Sequence, residues 1–330
     1  MGLAEQVQDG SVSVTPNGIP VYFQSLPKRL YRIGRDGPQW PLDEPELLLA
    51  SAQTPSMEAE YWQDVPSVTE VLDVLHKPGL PWWGMETGVE GLMALNNLGV
   101  LREIIHLDRP HLAIAQEVIR ERGEGLPASV EQVVELLTTH QLTVNHVRDR
   151  AGDRGLAVHD ALEGWATSGL LPDPGIYSPT EAGYVKGLRQ FLIDADPLPL
   201  ASEVIVASRE HGYAGRYDLR LGISKPRDIV ARCYPKKEPQ IKRLPVGEIL
   251  ADLKSSKGVY DSHPRQLEAY EEASLESGYE PTMARGILHV LDTGQYEFVR
   301  SWANFSDFLA VLYVWQSNQR MKARKPKGVG

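Results

Sequence analysis

The chain has 330 residues, of which 42% are hydrophobic and 24% charged, with a formal net charge of −10 at pH 7. This composition is ordinary for a globular protein and allows one large domain or two smaller ones. No apolar run reaches the ~20 residues of a membrane-spanning helix, and the single cysteine, Cys233, excludes an internal disulfide and any four-cysteine metal or iron–sulfur site.

The N-terminal part of the sequence predicts little regular structure. Residues 1–15 are polar and lack the basic start and apolar stretch of a secretory signal, so we expect a cytoplasmic protein without a membrane segment. Residues 19–23 and 29–33 form one hairpin-like pair, and residues 36–56 have the composition of an extended insertion. We interpret residues 1–65 as an N-terminal extension with a hairpin.

Residues 66–150 have the periodicity of a mainly helical region. Ser67 is suited to cap a first helix that ends near residues 77–79, because its hydroxyl can accept from a free amide of the first turn. The apolar face of this helix consists of Val68, Val71, Leu72 and Leu75. We expect a second helix from about Trp82 and a third over residues 130–147.

Residues 151–330 change in character and predict the core of the protein. Three stretches favour β-strands, and two later stretches favour helices. The strands are expected at 202–207, 215–221 and 249–254, and the helices at 264–276 and 305–321. Helices before and after a group of strands predict an α/β core in which a central mixed sheet is flanked by helices.

Two charged residues interrupt the last of these apolar strands. Asp252 and Lys254 are two residues apart and therefore point to one face, opposite Ala251 and Leu253. Burying either charge is costly unless it is paired or bound to a metal. The pair indicates a functional site, although an ion pair on an edge strand would also explain it.

Asp218 occupies the preceding predicted strand, where Tyr217 and Leu219 are expected to share the opposite face. If the two strands are neighbours, Asp218 lies beside Asp252, and two close carboxylates repel each other unless a cation joins them. Mg²⁺ prefers such carboxylates together with backbone carbonyls and water, so the carbonyl of Leu253 is a candidate further ligand.

Four more residues become candidates for the site only because Asp218, Asp252 and Lys254 are also present. Glu203 is a third strand carboxylate, and the alternative is an ordinary strand-edge glutamate. His159 lies on an apolar helix, where a lone histidine is usually structural. Gln266 and Tyr270 are spaced i, i+4 and share one helix face, which could equally be a plain polar surface.

Taken together and in this order, these residues resemble the PD-(D/E)xK nuclease superfamily, and within it the RecB-like exonucleases of bacteria and phages. The motifs are a helical Gly-x-x-x-His at 155–159, the strand Glu203, Gly-x-x-Asp at 215–218, Asp-x-Lys at 252–254 and Gln-x-x-x-Tyr at 266–270. The resemblance covers about residues 150–280. Residues 65–79 are also similar to the start of phage exonucleases of this group, which makes a phage or prophage origin plausible.

The resemblance implies a restriction-endonuclease-like core that hydrolyses DNA phosphodiester bonds with Mg²⁺ or Mn²⁺. The implied catalytic residues are Asp218, Asp252, Lys254, Glu203, Gln266 and Tyr270. The implied metal ligands are His159, Asp218, Asp252, Glu203 and the carbonyl of Leu253. Iron–sulfur members of the family use four cysteines, so no such cluster is expected here.

Basic residues are concentrated in two segments despite the negative net charge. Between 224 and 243 there are seven basic residues and two acidic ones, within a basic insertion at 224–248, and a basic tail covers 320–330. We expect the insertion to be a hairpin or loop beside the active site that contacts DNA, with a plain solvated loop as the alternative. The candidate contacts are Lys225, Arg227, Lys236, Lys237, Lys242 and Arg243.

The resulting hypothesis is a metal-dependent DNA exonuclease of phage or bacterial recombination, repair or replication. Its partners would be DNA and a single-strand annealing or recombination protein, in the host cytoplasm if the protein is of phage origin. Trp82 and Trp83 could stack on unpaired bases or simply pack in the core. The alternatives are a DNA-binding scaffold that does not cut, an endonuclease on the same fold and an unrelated metal-dependent hydrolase. The oligomeric state is left open.

Overall fold

The computed structural model describes most of the chain, and its gaps lie chiefly before residue 130. The described residues are 10–24, 30–35, 49, 52, 62–75, 84–92, 130–232 and 238–324. Several sequence-based predictions lie outside them, namely Trp82, Trp83, Cys233, Lys236, Lys237 and most of the insertion at 36–56. The chain divides into two compact units, one of Met1–Leu75 with Gly155–Gly330 and one of His76–Arg154.

The larger unit begins with a four-stranded antiparallel sheet. Its strands lie in chain order and are β1 (Ser11–Val14), β2 (Pro20–Gln24), β3 (Leu30–Gly34) and β4 (Trp62–Val65). Strands β2 and β3 correspond to the expected hairpin. The sequence did not predict β1 and β4, because each is short and β4 pairs with a strand far away along the chain.

The central sheet of the larger unit has seven strands and is mixed, which confirms the predicted α/β class. The strands are β5 (Leu198–Ser208), β6 (Tyr213–Ile223), β7 (Arg227–Arg232), β8 (Gln240–Leu244), β9 (Gly247–Lys254), β10 (Ala284–Val290) and β11 (Tyr296–Arg300). Their spatial order is β5-β6-β9-β10-β11-β7-β8. The pairs β9–β10 and β7–β11 are parallel, and the other pairs are antiparallel.

Helices cover both faces of this sheet. The larger unit contains α1 (Val68–Leu72), α4 (Pro179–Ala195), α5 (Ser262–Glu276) and α6 (Phe305–Arg324). Helix α2 (Val130–Thr139) belongs to the smaller unit, and α3 (Val144–Ser168) begins in the smaller unit and continues into the larger one. The part of α3 after Gly155 and α4 pack on the face that carries Ile249 and Ala251. Helices α1, α5 and α6 pack on the face that carries Leu250, as expected for alternating strand residues.

Two segments predicted to be helical are helical, but the bounds of their helices differ from the prediction. Ser67 caps α1 by accepting from the amide of Glu70 at 3.0 Å, but α1 ends at Leu72 rather than near residues 77–79. In the smaller unit, the single helix expected over 130–147 is two helices, α2 and α3, separated at Gln141, whose φ is 55°. A non-glycine residue with this left-handed backbone cannot continue a helix.

The described residues of the smaller unit are mainly helical. Besides α2 and the first part of α3, residues 84–92 form a helix. Over the described parts of both units, no helix combines the length and the hydrophobicity needed to cross a bilayer.

The basic insertion folds as the hairpin β7–β8, but its expected position beside the active site is wrong. Strand β7 pairs with β11, so β10 and β11 separate the hairpin from β9 and Lys254. Three steps of about 4.8 Å place β7 roughly 14 Å from β9. The sequence could not show this, because β10 and β11 were not predicted and follow the hairpin in the chain.

Glycines allow α4 to pack directly against the β10–β11 turn. A Cβ atom at Gly183 would overlap the carbonyl of Asp292, and one at Gly187 would overlap the carbonyl of Gln295. By contrast, Gly164 of α3 is exposed and has open space around it. The same substitution should therefore have opposite effects at Gly164 and Gly187.

We expect Gly164→Ala to stabilise the protein by about 1 kcal/mol, because alanine restricts the unfolded chain and favours the helix. We expect Gly187→Ala to destabilise it by roughly 1–3 kcal/mol through overpacking. Urea unfolding of the two variants beside the parent measures both effects. Equal stability of Gly187→Ala and the parent would contradict the close packing of α4 on the turn.

Candidate functional site

The candidate site lies where the two central strands β6 and β9 stop pairing. Their last backbone pair is Leu219–Ala251, and Asp218 and Asp252 come one position further along. At that point the amide of Leu253 donates to Oδ2 of Asp218 at 2.7 Å. A carboxylate thus takes the place of a backbone carbonyl, and the two aspartates meet at the end of the ladder, as the sequence predicted.

The side-chain alternation of β6 breaks at Asp218. Tyr217 packs in the core beneath α1, α5 and α6, whereas Leu219 packs in the core beneath α3 and α4. The expectation that these two residues share a face is therefore wrong. Strict alternation holds only in a regular strand, and the strand opposite Asp218 is irregular.

That irregularity is Glu203 on β5. It lies between the backbone pairs Ser202–Leu219 and Val204–Tyr217, and its φ is 54°. A glutamate in the left-handed region costs on the order of 1–3 kcal/mol, and such strain is commonly found at functional sites. The distortion occurs at the register position that faces Asp218, so it sets how the carboxylate of Glu203 enters the site.

His159 approaches these carboxylates from α3. The apolar face of that helix is buried and consists of Val158, Ala161, Leu162 and Trp165. Nδ1 of His159 lies 3.6 Å from Oε1 of Glu203 and 3.9 Å from Oδ1 of Asp218. Ligand atoms of these three residues lie within 4.8 Å of one another, so the cluster could hold a metal ion.

Neighbouring charges keep the His159 ring protonated in the metal-free protein. Burial opposes protonation, but the charge of Asp218 and the hydrogen bond to Glu203 outweigh it and raise the pKa of His159 to about 9. The imidazolium therefore supplies one of the positive charges that balance the carboxylates.

Asp252 and Lys254 form an ion pair at the end of β9, in which Asp252 is buried and Lys254 is partly exposed. Asp252 has no exposed surface, and Nζ of Lys254 lies 2.5 Å from its Oδ2. Among the described residues, none donates a hydrogen bond of ordinary geometry to either Asp252 oxygen. Burial raises the pKa of Asp252, Lys254 opposes that rise, and Asp218 adds to it.

The charge of Lys254 is stabilised by the same neighbours. Burial alone would lower the pKa of the lysine, but Asp252 and Asp218 outweigh it and raise the pKa. Lys254 is therefore a fixed cation at the site rather than a general base.

The predicted pair Gln266 and Tyr270 lies on α5, near the carboxylates of Asp218 and Asp252. Nε2 of Gln266 donates to the Tyr270 hydroxyl at 2.8 Å, and both side chains are buried. Burial and the charge of Asp252 raise the pKa of Tyr270, so the hydroxyl stays protonated. A Cβ atom at Gly215 would overlap the Tyr270 ring, which explains why this position of β6 needs glycine.

The structure brings most of the predicted site residues together and separates the predicted DNA contacts from them. Leu253 meets the site through its amide, and the role of its carbonyl stays a prediction. On the basic hairpin and the turn before it, Lys225 and Lys242 are exposed, Arg227 pairs with Asp196, and Arg243 pairs with Asp228. Arg227, Lys242 and Arg243 lie on β7 and β8, which β10 and β11 separate from β9, and Lys225 follows the end of β6 that pairs with Gly247, the opposite end of β9 from Lys254.

The sequence did not reveal two contributors to the site. Nε of Arg216 lies 2.9 Å from Oε2 of Glu203, and its guanidinium lies 5.5 Å from the centre of the Phe23 ring on β2. Arg216 lies two residues before Asp218 on the same strand, and this spacing could have indicated that it belongs to the site. Phe23 carried no signal, because its contact joins two distant parts of the chain.

A buried hydrogen-bond network holds the segment that follows Lys254. Nε2 of His289 on β10 donates to the carbonyl of Ser256 at 2.7 Å, and its Nδ1 lies 2.9 Å from Glu297. Glu297 also pairs with Arg232 at 2.5 Å. His289 is the backbone partner of Lys254, so the network fixes the end of β9 from the side of β10.

Comparison of the sequence with models of known protein families and with curated proteins gives no match.

We expect metal binding at His159, Glu203 and Asp218 to release a proton. Since the pKa of His159 is about 9, its ring is protonated at neutral pH, and a metal ligand must be neutral. Affinity for Mn²⁺ should therefore rise by up to roughly tenfold per pH unit between about pH 7 and pH 8.5.

Calorimetry in two buffers of different ionisation enthalpy measures this release. His159→Gln is the control and should bind Mn²⁺ more weakly with a smaller proton release. Identical heats in both buffers for the parent protein would contradict the prediction.

Proposed function

We propose that the protein is a Mg²⁺- or Mn²⁺-dependent DNA exonuclease with a restriction-endonuclease-like core. The observation that carries the proposal is Asp252, a carboxylate without exposed surface whose Oδ2 is paired with the Lys254 ammonium at 2.5 Å, while no described residue donates to its Oδ1. Such a group is costly unless a cation completes its environment. It lies beside Asp218 and the partly buried Lys254, which is the arrangement implied by the sequence motifs.

The residues present fit a divalent metal ion. His159, Glu203, Asp218 and Asp252 would hold it, with the carbonyl of Leu253 as a further oxygen ligand. Carboxylate and carbonyl oxygens suit ions such as Mg²⁺ and Mn²⁺, and no cysteine ligand is needed. When bound, the ion would stabilise charge on phosphate oxygens and lower the pKa of a water molecule.

The side chains of the site have distinct roles in this proposal. Lys254 provides a fixed positive charge that orients the attacking water or offsets charge developing on the phosphate. Asp252 holds Lys254 in place through their ion pair. Gln266 and Tyr270 stabilise the site from the side of α5 through their buried hydrogen bond.

The exonuclease form of the proposal rests on the order and spacing of five motifs. The same resemblance supports a role in phage or bacterial DNA recombination, repair or replication, with a single-strand annealing or recombination protein as partner. An exonuclease needs a DNA end, whereas an endonuclease on this fold does not. Covalently closed DNA therefore separates the two activities.

We expect the purified protein to degrade linear duplex DNA with Mg²⁺ or Mn²⁺, to leave closed circles intact and to be inactive in EDTA. Lys254→Ala and Asp252→Asn should each lower the rate by roughly 10²-fold or more, because each removes preorganised charge from the site. Time courses on labelled linear and circular DNA measure both expectations.

Lys186→Ala is the matched control, since Lys186 is exposed on α4 and should be dispensable. Circular dichroism shows whether each variant is folded. Cleavage of the circle would favour the endonuclease alternative. A folded parent protein that binds DNA but leaves every form intact would refute the nuclease and favour the DNA-binding scaffold.

We expect the basic hairpin to contribute to DNA affinity rather than to chemistry. The double variant Lys225→Gln/Lys242→Gln should bind DNA more weakly and reduce the salt dependence of binding by about two counterions. The cleavage rate at saturating DNA should stay unchanged. Fluorescence anisotropy over a salt series measures the slope, and an unchanged slope would show that the hairpin is an ordinary solvated edge.

A further inference from the structure

Arg216 is a cation built into the candidate site that the motifs do not account for. It lies in the middle of β6, where every residue is buried except Arg216 and Gly222. Its side chain is 37% exposed, which is enough for a ligand to reach the guanidinium. The residue therefore combines a fixed position in the central sheet with access from the solvent.

The N-terminal sheet supplies the platform for this arginine. Phe23 on β2 is buried, and its ring lies against Tyr31 with a centroid distance of 4.9 Å. The guanidinium carbon of Arg216 lies 5.5 Å from the centre of the Phe23 ring, within the range of a cation–π interaction. The core formed by Phe23, Tyr31 and Ile205 joins the N-terminal sheet to β5 and holds this platform in place.

The carboxylate that pairs with Arg216 is one of the candidate metal ligands. Oε2 of Glu203 faces Arg216 at 2.9 Å, while its Oε1 faces His159 at 3.6 Å. A divalent ion bound by Glu203 would compete with Arg216 for the same negative charge. The guanidinium would then require another anion, because it presents five donors and cannot lose its proton.

A backbone phosphate of DNA is the anion that suits this geometry. A guanidinium matches phosphate by paired hydrogen bonds, and the proposed reaction brings a phosphate to this site. Glu163, one turn after His159 on α3, is a neighbouring carboxylate: burial and the charge of Glu203 raise its pKa, and the charge of Arg216 opposes that rise only in part.

We propose that Arg216 binds a backbone phosphate of the DNA strand at the site, exchanging Glu203 for phosphate when the metal binds, and that Phe23 holds it there. This inference rests on the proposed nuclease function. It also gives the N-terminal sheet a part in substrate binding. Arg216 is thus a substrate-binding residue, and Phe23 is a positioning residue that acts through it.

Two binding measurements that do not depend on cleavage test the proposal. The first is the affinity of the DNA-free protein for Mn²⁺, measured by calorimetry for the parent, Arg216→Gln and Arg216→Lys. Arg216→Gln should bind Mn²⁺ severalfold more tightly, because a cation that competes for Glu203 is removed. Arg216→Lys keeps the charge and should bind Mn²⁺ like the parent.

The second measurement is the affinity for a labelled DNA oligonucleotide in the presence of Mn²⁺, on the Lys254→Ala background to prevent cleavage. Arg216→Gln should lower this affinity by roughly tenfold and reduce the salt slope by about one. The DNA affinity of Arg216→Lys should lie between that of Arg216→Gln and that of the parent background, since lysine lacks the guanidinium fork. Phe23→Leu should weaken DNA binding to a smaller extent while leaving the salt slope unchanged, and Lys186→Gln is the matched control for loss of an exposed cation.

Opposite results overturn the proposal. If Arg216→Gln binds Mn²⁺ more weakly, the arginine serves to orient Glu203 for the metal. If its DNA affinity and salt slope equal those of the parent background, Arg216 does not contact phosphate, even if the parent protein cleaves DNA. Conversely, a parent protein that never cleaves DNA, combined with the expected loss of DNA binding in Arg216→Gln, refutes the nuclease function and supports the phosphate contact.

Discussion

The buried ion pair of Asp252 and Lys254 is the constraint on which the larger unit depends. Removing two such charges from water costs several kcal/mol each, and their attraction offsets this only in a rigid, well-packed setting. Here β9 lies inside a seven-stranded sheet with helices on both faces. The His289 network fixes the segment after Lys254 from the side of β10. The apolar layers thus stabilise a polar group that would be unfavourable alone.

Charge balance around that pair explains the remaining side chains. Glu203, Asp218 and Asp252 are three carboxylates, and in the metal-free protein they face three cations, His159, Lys254 and Arg216. Two of these cations are replaceable, because His159 can lose its proton and Arg216 can change its partner. Lys254 is not, since its neighbours raise its pKa. Under the proposed function, Lys254 is therefore the permanent charge of the site, and the other two cations would give way to a divalent ion and to substrate.

Features set by local sequence were predictable, and features set by distant pairing were not. The Ser67 cap, the shared face of Gln266 and Tyr270, and the two-residue spacing of Asp252 and Lys254 follow from helix and strand periods. The strand order does not, because β10 and β11 insert between β9 and a hairpin that precedes them. The break in alternation at Asp218 depends on the left-handed backbone of a residue on another strand.

The position of the site follows from where side chains on opposite faces of the sheet can approach each other. His159 belongs to α3 on one face, whereas Gln266 and Tyr270 belong to α5 on the other. Side chains from opposite faces of a sheet are kept apart wherever its strands stay paired. They can converge only where the ladder ends, and between β6 and β9 it ends beside Asp218. Glu203, whose φ is 54°, faces Asp218 from β5, so the distortion of β5 and the end of the β6–β9 ladder occur at the same point of the sheet, where the candidate site lies.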